Sequence, residues 1–305
     1  MNTRGNVVPA LLLMLVVVGM ARWTVLDGQA GPCAADNVTA DKAKVITNSI
    51  GMKLACIPAG KFMMGSPRGE AERDTKEVQH EVSITKPFYI GVYEVTQAQF
   101  AIVMGEKTKA VFGSDNGGGP DHPMENVLWV ETDEFCKTLT AREDEKRAGR
   151  KYRLPTESEW EYACRAGTTA AFHAGDSLSS RQANFNGNYQ YGTADKGQYL
   201  RKTTKVGSYQ PNAFGLYDMH GNVAEWCADW YDPNYYNDSP DENPLGPPVG
   251  ALPDDYGNFY LVVRGGSWLD DARACRSAYR QRAMHRNRYW LIGFRVVCEV
   301  AENSE

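Results

Sequence analysis

The chain has 305 residues, 42% of them hydrophobic and 23% charged, enough to bury a large core in one sizeable domain or two small ones. A formal net charge of -5 supplies no overall field that would recruit nucleic acid or an anionic membrane, so nucleic-acid partners are not expected. Seven cysteines include no Cys-x2-Cys pair, which removes support for a zinc ribbon or a thioredoxin-type redox centre.

At the N-terminus, Arg4 precedes an apolar run from Val7 to Ala21 that closes on small residues. Residues 1–21 therefore read as a secretory signal, and the protein as exported to a periplasmic, secreted or cell-surface location. The run falls short of the roughly 20 residues that span a bilayer, so membrane contact is expected only through an uncleaved N-terminal segment. Residues 22–44 are small and polar without periodicity and read as a linker, which carries the sequon Asn37-Val-Thr39. Export permits disulfides, and an odd cysteine count leaves at least one thiol free if every bridge is internal.

The folded domain is expected over residues 45–300. Two short apolar runs between Gly51 and Ser66, punctuated by Pro58 and Gly60, predict strands joined by a turn, and a further pair is predicted at 81–85 and 88–93. Thr96-Gln-Ala-Gln99 is a capping-box pattern opening a helix with Phe100, Val103 and Met104 on one face and Gly105 behind it. A longer helix is predicted from Val130 to Arg147. Thr156-Glu-Ser-Glu159 opens another, with Trp160, Ala163 and Cys164 as its apolar stripe and Gly167 as its terminator. Beyond residue 168 helical periodicity vanishes, which predicts long ordered loops on a small strand framework tied by metal ions, disulfides or buried tryptophans.

Three strings carry a specific resemblance: Arg153 to Gly167, Gly215 to Trp226, and Arg264-Gly-Gly-Ser-Trp268. Gly293-Phe-Arg295, Phe62-Met-Met-Gly65, Tyr93-Glu-Val-Thr96 and His122 to Trp129 accompany them in order. Together they resemble the sulfatase-modifying-factor family, whose namesake is the formylglycine-generating enzyme, over about residues 50–300. The resemblance implies an irregular α+β domain with a C-type-lectin-like fold. It also implies oxygen-dependent oxidation of a protein cysteine in a Cys-x-Pro-x-Arg motif, at Cu(I) held by two thiolates, with a sulfatase or other exported protein as substrate.

The matched positions depart from that pattern. Cys275 stands where the second thiolate belongs and Ser267 where the family has its active-site serine, but Asp270 occupies the first thiolate position and is a poor ligand for a soft ion. Ala274 and Ala224 replace two pocket aromatics. A buried, inert Cys275 competes with a reactive one. For Ca2+ the resemblance implies a structural site at Asp218, Gly221, Val223 and Glu225, two carboxylates and two carbonyls; the competing reading makes Asp218 a turn cap and pairs Glu225 with an arginine. A second calcium set would use Asn184 and the Phe185 carbonyl, with Asp195 as acid only if the loop is shifted. The family's long-range bridge maps approximately onto Cys136 and Cys298, closing a loop of about 160 residues worth about 4 to 5 kcal/mol. Cys164 keeps a family position whose usual partner is replaced by Arg280.

Arginines 273, 276, 280, 282, 286 and 288 are expected to be structural, beside Asp270 and Asp271, rather than a nucleic-acid surface. The five histidines show no metal-type spacing. Against the cysteine-oxidase expectation stands a reading from another class, a non-catalytic lectin-like module that binds a protein or glycan.

Overall fold

The computed structural model describes residues 1, 33, 44–105, 118–248, 253–254 and 257–301. The apolar N-terminal run and nearly all of the expected linker lie outside them. Among the described residues no helix is long and apolar enough to cross a membrane.

Strands β1 (Val45–Thr47), β2 (Lys53–Ile57), β5 (Phe88–Gly91), β11 (Val297–Val300) and β6 (Arg150–Arg153) form an antiparallel sheet in the order β1-β2-β5-β11-β6. The central strand β5 is buried along its whole length, as a strand covered on both faces must be. Strands β3 (Gly60–Met64) and β4 (His80–Ile84) make a separate hairpin. A second sheet runs β10-β7-β8-β9, with β7 (Ala224–Trp230), β8 (Tyr260–Arg264) and β9 (Gln281–Met284) antiparallel and β10 (Ile292–Gly293) parallel to β7. All four expected strands are present, but they pair across the expected couples, β2 with β5 and β3 with β4, and the span from 166 to 223 holds only isolated bridges. The expected mixture of few helices, short strands and long ordered loops is what forms.

The capping boxes behave as read. Thr96 Oγ1 accepts from the Gln99 N–H at 3.2 Å while Gln99 Oε1 accepts from the Thr96 N–H at 3.1 Å, opening α1 (Gln97–Met104). Thr156 and Glu159 repeat the exchange at α4 (Glu157–Arg165), where Arg153 adds two bonds to the Glu159 carboxylate at 2.6 and 2.7 Å. α4 closes one residue earlier than expected: Ala166 takes the left-handed cap at φ 45° and Gly167 follows it at φ 90°.

The single helix expected over 130–147 is two. α2 (Trp129–Thr140) stops, Arg142 is extended (φ -66°, ψ 139°), and α3 (Glu143–Arg147) restarts on three acids that suit a helix N-terminus. Packing explains the break. Thr140 Oγ1 accepts from the Tyr152 N–H of β6 at 2.8 Å, and buried Glu145 accepts from Tyr152 Oη at 2.6 Å and from the Ser49 N–H at 2.7 Å.

The cysteine pairing also differs from expectation. Cys33 bridges Cys56 of β2 with Cα atoms 5.7 Å apart, so the expected linker is pinned to the sheet at one point. Cys136 and Cys298 are both free and buried, so the long-range bridge does not form. Cys298 instead sits in register between Tyr89 and Tyr152 on its two neighbouring strands.

Candidate functional site

Two clusters occupy the positions singled out by the sequence. The first is a buried group of carboxylates between the two sheets. β7 carries Glu225 inward, where Arg295, just ahead of β11, donates from Nε at 2.9 and 2.7 Å and from Nη2 at 2.7 Å. Trp160 Nε1 of α4 donates to the same carboxylate at 2.7 Å. Glu94, following β5, accepts from Asn222 Nδ2 at 2.9 Å and from the Val223 N–H at 3.3 Å. Asp218, at φ 57°, accepts from the Gly207 N–H at 2.6 Å through Oδ2, while its Oδ1 is buried without a partner.

Burial drives the electrostatics here. It raises the Glu94 carboxyl well above its usual range, reinforced by Asp218 and Glu225, and raises Asp218 to about 6. Three carboxylates thus face one guanidinium.

The expected calcium set assembles in part. Asp218 has the orphaned oxygen a hard cation would use, and Gly221 (φ 80°) lies so close to the Asn184 carbonyl that a Cβ would sit 2.3 Å from its oxygen. Glu225 accepts from Arg295 and Trp160, the ion pair of the competing reading for that position. Among the described residues no three His, Cys, Asp or Glu side chains converge as a metal site. In the second set, Asn184 Oδ1 is buried without a partner and Phe185 is buried. Asp195 does not join them, being exposed and 3.4 Å from Arg181.

The second cluster surrounds Cys275. Its 3-10 turn, Ala272–Cys275, is capped by Asp271, which accepts from the Ala274 N–H at 3.1 Å. Cys275 is fully buried against Gly266, where a Cβ would stand 2.7 Å from Sγ, so only glycine (φ 68°) fits. Burial, with Asp270 and Asp271 nearby, pushes this thiol well above its ordinary range. Asp270 turns back on Ser267: its Oδ2 accepts from the Ser267 N–H at 2.9 Å and from Ser267 Oγ at 2.6 Å.

One protonated thiol and a carboxylate engaged by serine do not make the two-thiolate set that Cu(I) prefers. The residues present do not fit that ion.

Two histidines without metal-type spacing complete the cluster. His220 Nδ1 lies 2.7 Å from the Cys275 carbonyl and Nε2 accepts from the His173 N–H at 3.2 Å, which sets the proton on Nδ1. The rings stack at 4.9 Å, and burial lowers His220 to about 3, so it stays neutral. Cys164 Sγ lies 3.6 Å from Ser277 Oγ and 3.9 Å from His220 Nε2. Arg280, at the position of the family's partner cysteine, binds Glu157 at 2.8 and 2.9 Å.

The arginine run is structural, though its partners differ from those expected. Arg276 pairs with Glu70 and Glu77, Arg280 with Glu157 and Arg288 with Glu131, while Arg282 lies over the Tyr260 ring at 4.5 Å.

Comparison with known proteins accords with this geometry. A family model described as the sulfatase-modifying factor enzyme 1-like domain matches residues 42–300. The formylglycine-generating enzyme of Streptomyces coelicolor is 31% identical over 278 residues, covering 74% of this chain and 80% of that protein. A serine/threonine-protein kinase, pkn1 of Chlamydia pneumoniae, is 31% identical over 274 residues, but the match spans only 38% of its length. Among solved structures, PvdO from Pseudomonas aeruginosa superposes with a TM-score of 0.68 at 28% identity, covering 85% of this chain and 99% of that one. Treponema denticola variable protein 1 gives 0.64 at 26% identity, covering 84% and 98%. With the matched strings, the mixed fold and the two clusters in place, the chain belongs to the sulfatase-modifying-factor, or formylglycine-generating-enzyme-like, family.

Proposed function

We propose that this chain is an exported sulfatase-modifying-factor protein that engages an exported polypeptide, such as a sulfatase, without oxidising a cysteine at a two-thiolate copper centre. The observation that carries the reading is the Asp270–Ser267 pair: the side chain at the first thiolate position is a carboxylate turned to a neighbouring serine, while Cys275 is buried and protonated. The family match supports the partner class.

The test supplies Cu(I), oxygen and a Cys-x-Pro-x-Arg peptide. The parent protein is expected to form no aldehyde and to lose Cu(I) to a chromogenic chelator, while calorimetry registers peptide binding. Aldehyde formed by the parent and abolished by Cys275→Ala would overturn the reading. Export is tested by sequencing the N-terminus of protein recovered outside the cytoplasm, with cleavage expected near residue 21.

A structural calcium ion belongs to the same proposal, held by Asp218 Oδ1 with the carbonyls of Gly221 and Val223. The orphaned Oδ1 and the excess of buried carboxylate over guanidinium support it. One ion per chain is expected, with a melting midpoint that falls in chelator. An unchanged midpoint would sink it.

A further inference from the structure

On the face formed by the β3–β4 hairpin and the end of α4 lies a cleft of about 330 Å³ that neither cluster uses. Its walls are aromatic. Phe62 and Tyr162 have ring centroids 5.2 Å apart, and Tyr162 and Phe214 5.9 Å, with Phe62 and Phe214 only partly buried. The arrangement is built into the backbone: a Cβ on Gly60 would lie 2.4 Å from Tyr162 Oη, so glycine there is what lets the tyrosine stand upright.

The rim is polar and balanced. Lys61 Nζ lies 3.0 Å from Glu81 Oε1 on exposed side chains, and Arg165 in the wall is held at 2.8 Å by Glu161, a carboxylate that also binds Arg264 at 2.6 Å. Thr168 and Thr169 line the opposite side. The exposed pair at the rim leaves no lone charge there to select an anion or a cation. It does leave donors and acceptors beside ring faces.

We propose that this cleft is a carbohydrate site for a neutral pyranose, whose C–H face packs on Phe62 and Phe214 while Lys61 and Glu81 meet its hydroxyls. A sugar satisfies both halves of the lining at once, burying one apolar face and presenting hydroxyls around its edge. An aromatic side chain would fill the walls but bring no hydroxyls to the donor and acceptor that Lys61 and Glu81 carry at the rim.

The experiment is saturation-transfer NMR with titration on the full chain, using methyl α-glucoside, methyl β-galactoside and N-acetylglucosamine as probes. N-acetyl-phenylalanine amide is the competing ligand. At least one sugar is expected to saturate, with Phe62→Ala and Glu81→Gln each weakening it about tenfold, the size of one aromatic or polar contact. Lys137→Gln, on α2 outside the cleft and both clusters, is expected to bind sugar like the parent, and Phe62→Ala and Glu81→Gln are expected to bind the Cys-x-Pro-x-Arg peptide like the parent, so failure here and failure of the polypeptide reading are separable. Thermal melts of each variant establish that it is folded. No saturation by any sugar below roughly 10 mM, sugar binding that ignores both cleft substitutions, or capture of the phenylalanine amide instead would overturn the assignment.

Discussion

Arg295→Met tests the buried carboxylate group directly. Arg295 is fully buried and donates to both oxygens of Glu225, to the Gly91 carbonyl at 2.9 Å and to the Tyr217 carbonyl at 2.9 Å. A methionine keeps most of the volume and removes the only guanidinium bound to Glu225 among the described residues, leaving Glu94, Asp218 and Glu225 facing one another. Breaking a buried pair by removing one partner costs about 3 to 5 kcal/mol, because the remaining charge has neither water nor counter-ion. For a domain of this size that lowers the melting temperature by about 10 °C. The assay is urea and thermal unfolding in chelator, so that no cation compensates, on the single variant and on Arg295→Met with Glu225→Gln. Removing the stranded charge is expected to recover at least about 2 kcal/mol, since the two sites touch and are not additive. A single-variant loss below about 1 kcal/mol, the scale of an exposed ion pair, would refute the reasoning. So would a double variant no more stable than the single.

Three further outcomes follow from other contacts. Asp229 is buried and its carboxyl is raised well above the usual range by burial and by Glu157. The folded state therefore holds a proton that the unfolded state has released, stability falls as pH rises above about 4, and Asp229→Asn should stabilise the protein at pH 7 but not at pH 3; equal effects at both would refute this. The five free cysteines are all buried, so alkylation without reductant should add nothing to the native protein, five adducts in denaturant and seven after reduction, read by mass spectrometry; three adducts in unreduced denaturant would restore a second bridge. Gly60→Ala should cost about 1 to 3 kcal/mol by forcing its methyl into Tyr162 Oη, and adding Tyr162→Phe should relieve it because the next ring atom stands at 3.4 Å; calorimetric melts without that rescue would show the clash lies elsewhere.

What was legible in the sequence was local. A capping box needs one turn of chain, so Thr96–Gln99 and Thr156–Glu159 could be read from four residues each. The break at Arg142 could not, because Thr140 is drawn off by Tyr152 and Glu145 is held by Ser49, 96 residues away. The Cys33–Cys56 bridge was hidden among seven cysteines, whose spacing does not rank the pairings. At the site, the matched strings located Asp218, Gly221, Glu225 and Ser267, and the family pattern beyond them Cys275, but not their partners. Glu94 and Arg295 lie inside matched strings and carried a signal that went unused, whereas His173 and His220 meet only because two long loops fold against each other.

The exchange at position 270 shows how a ligand position can be absorbed by local structure. A carboxylate three residues after Ser267 finds two donors in its own turn, one N–H and one hydroxyl. That pair satisfies a serine that is itself fully buried, and an unsatisfied buried hydroxyl would cost about 1 to 3 kcal/mol. Once the carboxylate is held this way, Cys275 has no soft partner at position 270, and burial keeps it as a thiol against Gly266. The carboxylate at position 270 thus leaves Cys275 without a second soft ligand for Cu(I) and at the same time holds the turn through Ser267.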